Sequence, residues 1–213
     1  MKTDILKIKG SWNEILNDCR FTVGKESLDK EPSHEWKKKI LISEHSPIRD
    51  IQVKFRWRDI PYWVAMHWKT HKWESRTVSQ RNDRQDKYDR GKAPQDSPVA
   101  FVGEPNAQHL IDTMRKRLCF QASPETRAYA EDLKMALHEV QPELADVLVP
   151  NCVYRCGCPE LLQQGKKCQF FEMMCNKYPD LASTDIQKRY SVYNQYFHQM
   201  NAGRENKNEH ESH

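Results

Sequence analysis

His45, His71, Lys72, Ser79 and Arg81 fall within one segment, residues 45–81. Imidazoles can donate or accept near neutral pH, a hydroxyl can donate to a phosphate oxygen, and a guanidinium is a planar, permanently charged fork. Residues of these types grouped so closely suit the binding of an anionic, ring-bearing ligand. Only seven glycines occur, and none form a GxGxxG or GxxxxGK pattern. Any phosphate is therefore held by side chains or helix ends rather than by a glycine-rich loop.

The elements that must position this set can be read from periodicity. Ile5–Lys9 reads as an opening strand, followed by a short helix through Trp12–Leu16 and a second helix over Glu35–Ile42 that leads to the His45-Ser46-Pro47 turn. Ile51, Val53, Phe55 and Trp57 alternate with Gln52, Lys54, Arg56 and Arg58, which predicts a half-buried strand with a basic outer face. Pro61 suits a helix first turn, and Trp63, Val64, His67, Trp68 and His71 follow at helical spacing. His67 and His71 are therefore expected on one helix face. Residues 82–106, rich in Asp, Arg, Lys, Pro and Gly, read as an exposed loop of the kind that forms a lid.

Helical character returns from Asn106 to about Val140, broken at Ser123-Pro124, where serine can cap and proline can start a new helix. Ala128, Leu133, Ala136, Leu137 and Val140 form an amphipathic stripe expected to pack inward or against another subunit. Residues 201–213 are polar and read as a disordered tail.

Composition sets the outer limits. At 213 residues the chain can bury a genuine core, and 34 Lys+Arg against 30 Asp+Glu give a net charge of +4. That mild excess suits phosphate-bearing ligands and permits nucleic acid without indicating it. No apolar run approaches the roughly 18 residues of a membrane span, and no signal-type stretch opens the chain, so a soluble, cytoplasmic protein is expected. Seven cysteines without a secretion signal are expected to be reduced thiols or metal ligands. Cys152, Cys156, Cys158, Cys168 and Cys175 cluster late in the chain. Thiolates in short turns suit zinc, although the paired CxxC pattern is absent; the alternative is a set of buried thiols.

The run Pro61–Lys72 followed by Ser79-Gln80-Arg81 resembles the signature of the flavin-dependent thymidylate synthases, in which Arg-His-Arg precedes Ser-x-Arg. His45-Ser46-Pro47 stands upstream at about the family's separation. A second block, Arg117–Arg127, resembles the family's arginine-, glutamine- and glutamate-bearing helix, and Asn106 stands where the family keeps an asparagine. The two blocks span roughly residues 43–140 in the right order, which is more specific than either alone. The chain departs from the pattern at Thr70 and Lys72, which stand in place of arginines, and at His67, which stands in place of glutamine. It is also one residue short between His71 and Ser79, and much shorter between Arg81 and Asn106.

The resemblance implies an α+β fold with an antiparallel sheet flanked by long helices, assembled as a homotetramer. It implies FAD contacted by His45, His71, Lys72 and Asn106, and dUMP held by Ser79, Arg81 and Arg117, with Arg117 and His71 nearest the chemistry. The implied reaction is reductive methylation of dUMP to dTMP, with methylenetetrahydrofolate as carbon donor and NADPH as reductant. On this reading residues 1–145 form the catalytic domain and 146–200 a Cys-rich helical extension. Two other functions are also expected from the residues: flavin-dependent modification of another pyrimidine nucleotide, and a non-catalytic, zinc-stabilised nucleic-acid-binding protein using Lys54, Arg56 and Arg58.

Plainer roles are assigned to other conspicuous residues. Trp57, Trp63, Trp68 and Trp73 read as core packing, His67 as a helix-surface histidine, and Glu125 with Arg127 as a structural pair at a helix start. Lys37-Lys38-Lys39 reads as a solvated helix face.

Overall fold

The alternation in Ile51–Trp57 forms the strand it predicts. In the computed structural model, which describes residues 2–78, 89, 91–160 and 168–210 (side chains to 202), β2 spans Gln52–Pro61. Val53, Phe55, Trp57 and Ile60 are buried on its inner face. β1 (Asp4–Lys9), β3 (Glu74–Thr77) and β4 (Pro98–Glu104) complete an antiparallel sheet of order β1-β2-β4-β3. Ser79 and Arg81 lie outside the described residues.

β4 corrects the expected loop over 82–106. It pairs with both β2 and β3 and is interior to the sheet. Its inward residues Val99, Phe101 and Gly103 repeat the period of two, and Gly103 lies opposite Phe55. A Cβ at Gly103 would stand 2.5 Å from the Phe55 ring, so glycine is what lets that ring lie flat over β4. The outer sheet face is basic as expected, with two carboxylates set among its cations. Arg56 and Arg58 reach Asp4 at 2.9 and 3.5 Å, and Lys9, Lys54 and Arg76 converge on Glu104 at 2.6, 3.8 and 3.7 Å. Each carboxylate is thus shared by two or three cations, and the face stays net positive.

Capping fixes where the helices begin. Ser11 and Glu14 form a capping box for α1 (Trp12–Phe21), and Ser33 caps α2 (His34–Ile42). Pro61 ends β2 and precedes α3 (Tyr62–Lys69), which is shorter than expected. Thr70 caps the C-terminus of α3, so His71 lies in the following bend rather than on the helix. Asn106 accepts from His109 N to cap α4 (Ala107–Arg117), and Ser123 caps α5 (Pro124–His138) with Pro124 at its first position. The buried stripe of α5 is Thr126, Tyr129, Ala130, Leu133, Lys134 and Leu137. Val140 lies beyond the helix and is exposed, which corrects its expected inward position.

The remaining helices are α6 (Pro142–Asp146), α7 (Asn151–Arg155), α8 (Phe170–Lys177) and α9 (Ile186–His210). Arg189 of α9 is buried and donates to the carbonyls of Val153, Tyr154 and Ser183, satisfying the open C-terminus of α7. Leu137, Val153, Phe170, Leu181 and Phe197 belong to the same hydrophobic core as the sheet residues Phe55 and Phe101. Trp57 and Trp68 are fully enclosed in that core, with rings 4.8 Å apart, while Trp63 and Trp73 pack at its edge. Among the described residues no helix is long and apolar enough to cross a membrane.

Two surface expectations are corrected. Lys37 is buried and pairs with Glu31 at 2.5 Å, whereas Lys38 and Lys39 are exposed as expected, Lys38 also pairing with Asp146 of α6. Arg127 pairs with Glu131 one turn on, at 3.4 Å, rather than with Glu125, and its guanidinium lies 4.2 Å from the Phe120 ring centroid.

Candidate functional site

Two helix ends build the site. The C-terminus of α3 delivers His67 and the bend at His71, and the C-terminal turn of α4 delivers Arg117. Arg117 Nε donates to His71 Nε2 at 2.8 Å, and Arg117 Nη2 donates to the His67 carbonyl at 2.7 Å. One guanidinium thereby joins the Thr70 hydroxyl on the His67 carbonyl and orients the imidazole beyond it. Because Nε2 accepts, the His71 proton is assigned to Nδ1.

Burial, with the adjacent Arg117 and Lys116 charges, pushes His71 down to about 4, so it is neutral at pH 7. Burial also lowers Arg117, which remains a cation. Trp73 packs against His71 with ring centroids 5.4 Å apart, and Trp68 stacks on Trp73 at 6.1 Å. The indole N–H groups of Trp68 and Trp73 are buried without an acceptor among the described residues.

Arg117 faces a separate, smaller cavity, while one of about 440 Å³ opens beside His71. Lys72, Arg115, Lys116 and Arg155 contribute cations to its wall, His71 and His109 contribute imidazoles, and Asp112 is its one carboxylate. His109, Thr113 and Lys116 follow at helical spacing along α4, so the helix presents a polar rail to the cavity. This basic lining can receive a phosphate, and the neutral imidazole can exchange hydrogen bonds with a heteroaromatic ring.

Arg115 fixes that rail. It pairs with Glu44, contacts Asp112 at 3.2 Å and lies 3.6 Å from the Tyr154 ring centroid, linking α4 to α7. Glu44 adopts φ +52°, uncommon for a residue with a side chain, and the resulting turn lets its carboxylate meet both Arg115 and Gln108. Burial alone would raise the Glu44 carboxyl, but the Arg115 and Gln108 hydrogen bonds outweigh it and hold the group below its usual range.

The other expected site residues are distributed around this centre. His45 is exposed at the start of a 3-10 turn, with Nδ1 3.5 Å from Cys19 Sγ. Asn106 caps the N-terminus of α4, roughly 16 Å along that helix from Arg117 at 1.5 Å per residue. Neither lines the cavity at His71. His67 is exposed as expected, with Nδ1 3.3 Å from Thr126 Oγ1. His109, Lys116 and Arg155 were not singled out by the sequence; the i, i+4, i+7 spacing of His109, Thr113 and Lys116 was the available signal for two of them.

The cysteines separate into groups. Cys152 is buried on α7, which pushes its thiol up to about 12, and the neighbouring thiols Cys119, Cys158 and Cys168 add to the rise. Burial also raises Cys119, with Cys168 and Cys158 acting in the same direction. Cys156 turns elsewhere, its Sγ donating to the Ala182 carbonyl at 3.4 Å, and Cys175 senses Cys156 rather than the other four.

A second cavity, of about 570 Å³, lies between α2, α6 and α9. Asp146 and His198 line it, and with His138 their ligand atoms lie within 4.8 Å of one another. Its lining surface is mostly apolar, without the concentrated positive charge found at His71.

No family model and no curated protein matches the chain. Solved structures do. The UMP/dUMP methylase PolB from Streptomyces cacaoi, bound with 5-Br dUMP, has a TM-score of 0.55 and 14% identity over 68% of this chain and 93% of that chain. The flavin dependent thymidylate synthase ThyX from Helicobacter pylori, complexed with FAD and dUMP, has a TM-score of 0.53 and 13% identity over 70% of this chain and 100% of that chain. The likeness is one of fold: this chain has the α+β architecture, built on an antiparallel sheet, of those two proteins.

Proposed function

We propose that the chain is a flavin-dependent pyrimidine-nucleotide methylase converting dUMP to dTMP. The observation that carries the reading is a cation-lined cavity with His71 in its wall, that imidazole being held from behind by Arg117, on a fold shared with proteins solved with dUMP or its 5-bromo analogue. In balance, dUMP, methylenetetrahydrofolate, NADPH and a proton give dTMP, tetrahydrofolate and NADP+. Bound FAD supplies the hydride chemistry. A homotetrameric assembly belongs to the same proposal.

The chain's own residues bind, orient and compensate charge. Arg117 brings a fixed cation to the nucleotide, where it stabilises negative charge developing on the pyrimidine as C5 is alkylated. His71, neutral and held by Arg117, positions a ring without adding charge. Lys72, in the cavity wall, is proposed to provide a point charge for a flavin phosphate, and Asn106, which stands outside that wall with its Oδ1 serving the helix cap, is proposed to meet the flavin through its amide NH2. His45 is proposed at the far end of the flavin. Ser79 and Arg81 are proposed to hold dUMP together with Arg117.

Asp4 and Glu104 offset part of the charge of Lys54, Arg56 and Arg58, which makes a nucleic-acid-binding sheet the weaker reading. The test is to titrate purified protein with FAD, follow the flavin absorbance on adding dUMP or UMP, and assay for methylated product with methylenetetrahydrofolate and NADPH. A dUMP-dependent spectral change with dTMP formation is expected. Product from UMP alone would move the assignment to another pyrimidine nucleotide, and absence of flavin binding would overturn it.

A further inference from the structure

We propose that Cys119, Cys152, Cys158 and Cys168 form a four-thiolate zinc site that pins the end of α4 to α7 and to the start of α8. The inference does not depend on the nucleotide reading. Cys119 follows α4 immediately, and a cavity of about 240 Å³ is lined by Arg117, Cys119, Asn151 and Glu160, which brings the chain on either side of Cys152 and Cys158 around the Cys119 thiol. The Phe120 and Phe170 rings stack at 3.7 Å and 12°, clamping the residue after Cys119 against the residue two beyond Cys168. Cys156 adopts φ +55° and Gly157 N donates to the Cys152 carbonyl at 2.9 Å, so the chain reverses after α7 and carries Cys158 back toward Cys152.

Proximity is mutual, since Cys119, Cys158 and Cys168 all act electrostatically on Cys152, and Cys158 and Cys168 on Cys119. Four soft donors converging from two short turns and a helix end match the tetrahedral preference of zinc. All four are free thiols, and none is committed to a disulfide. No three of their sulfurs yet lie within 4.8 Å of one another, so the thiolates close on the ion as it binds. The grouping differs from a simple reading of the late cysteines, because Cys119 enters the set while Cys156 and Cys175 face the Ala182 side.

The rival donor group, His138, Asp146 and His198, is already compensated. Its one carboxylate pairs with Lys38, and the buried Lys134 ammonium lies close enough to feel Asp146. A divalent ion there would meet two lysines and one anion.

The decisive measurement is metal content of the reduced, full-length chain by plasma mass spectrometry, paired with zinc-edge X-ray absorption. One zinc per chain with four sulfur neighbours at about 2.3 Å is expected. Cys119→Ser is expected to lower zinc occupancy at least tenfold, while Cys156→Ser and Cys175→Ser retain it. Because Cys119→Ser could fail to fold, the wild-type absorption spectrum stands as an independent readout. Nitrogen neighbours at the zinc, loss of zinc in His198→Ala, iron with inorganic sulfide in its place, or wild-type protein without stoichiometric metal would each overturn the site.

Discussion

Arg117 and His71 are 46 residues apart in sequence, yet the guanidinium Nε donates to the imidazole Nε2 at 2.8 Å. The same guanidinium caps the His67 carbonyl, so the ends of α3 and α4 are joined by one side chain. The geometry makes His71 an oriented neutral acceptor and Arg117 a cation held beside it. Lysine at 117 keeps the charge but cannot supply both bonds in the same plane. Under the proposed function, Arg117→Lys is expected to lower dTMP formation by about a hundredfold or more, in line with the loss of a preorganised charge contact. Circular dichroism should remain native, and wild-type turnover in the variant would remove Arg117 from the chemistry.

His71 also gives an acid-side signature. Its folded value of about 4 lies below the ordinary 6.5, so between those limits the unfolded chain binds more protons than the folded one. Stability from this group is full above pH 6.5 and falls as the pH drops toward about 4. In urea unfolding at pH 7.5, 6, 5 and 4.5, the wild-type midpoint should fall more steeply than that of His71→Gln. Parallel slopes would show that His71 titrates normally.

The division between legible and hidden features follows sequence distance. β2 is legible because Val53, Phe55 and Trp57 alternate without interruption, and the caps at Ser123 and Asn106 are local signals. β4 carries the same alternation in Val99, Phe101 and Gly103, but it follows a charged, proline-bearing run, and its third inward residue has no side chain. Only the opposed Phe55 ring explains that glycine. The end of α3 at Lys69 is equally obscure, because helical spacing continues to His71 while the chain bends to meet Arg117. Cys119 is separated from the late cysteines by the whole of α5, so spacing rules cannot enlist it.

Gly103 tests the sheet directly. An added methyl would meet Phe55 Cζ at 2.5 Å and Cε1 at 2.7 Å, inside a wall formed by Trp57 and Phe101. The ring cannot retreat without displacing those neighbours. Gly103→Ala is expected to cost about 1–3 kcal/mol by overpacking, read as a lower urea midpoint with an unchanged m-value. A neutral substitution would mean that the Phe55 ring has room the structure does not show.

Lys134 gives a prediction of the same pH sense, displaced to the alkaline side. Its ammonium is enclosed between α5 and α9, donating to the Ala145 carbonyl at 2.5 Å and Asn194 Oδ1 at 2.8 Å, with the Phe197 ring 5.2 Å away. Burial pushes the group down to about 7, against the pull of Asp146 and with a further push from Lys38. Its unfolded value is near 10.5, so between about pH 7 and 10.5 the unfolded chain holds more protons and stability rises with pH. Below about pH 7 both states carry the proton and the slope from this group vanishes. Lys134→Met keeps much of the side-chain volume and removes the titration, while leaving the Ala145 and Asn194 oxygens without their donor, at a cost of about 1–3 kcal/mol for each acceptor left buried and unsatisfied. The difference in unfolding free energy between wild type and Lys134→Met should therefore widen in favour of wild type from pH 7 to pH 9. A difference that stays constant over that interval would show that Lys134 is an ordinary solvated cation.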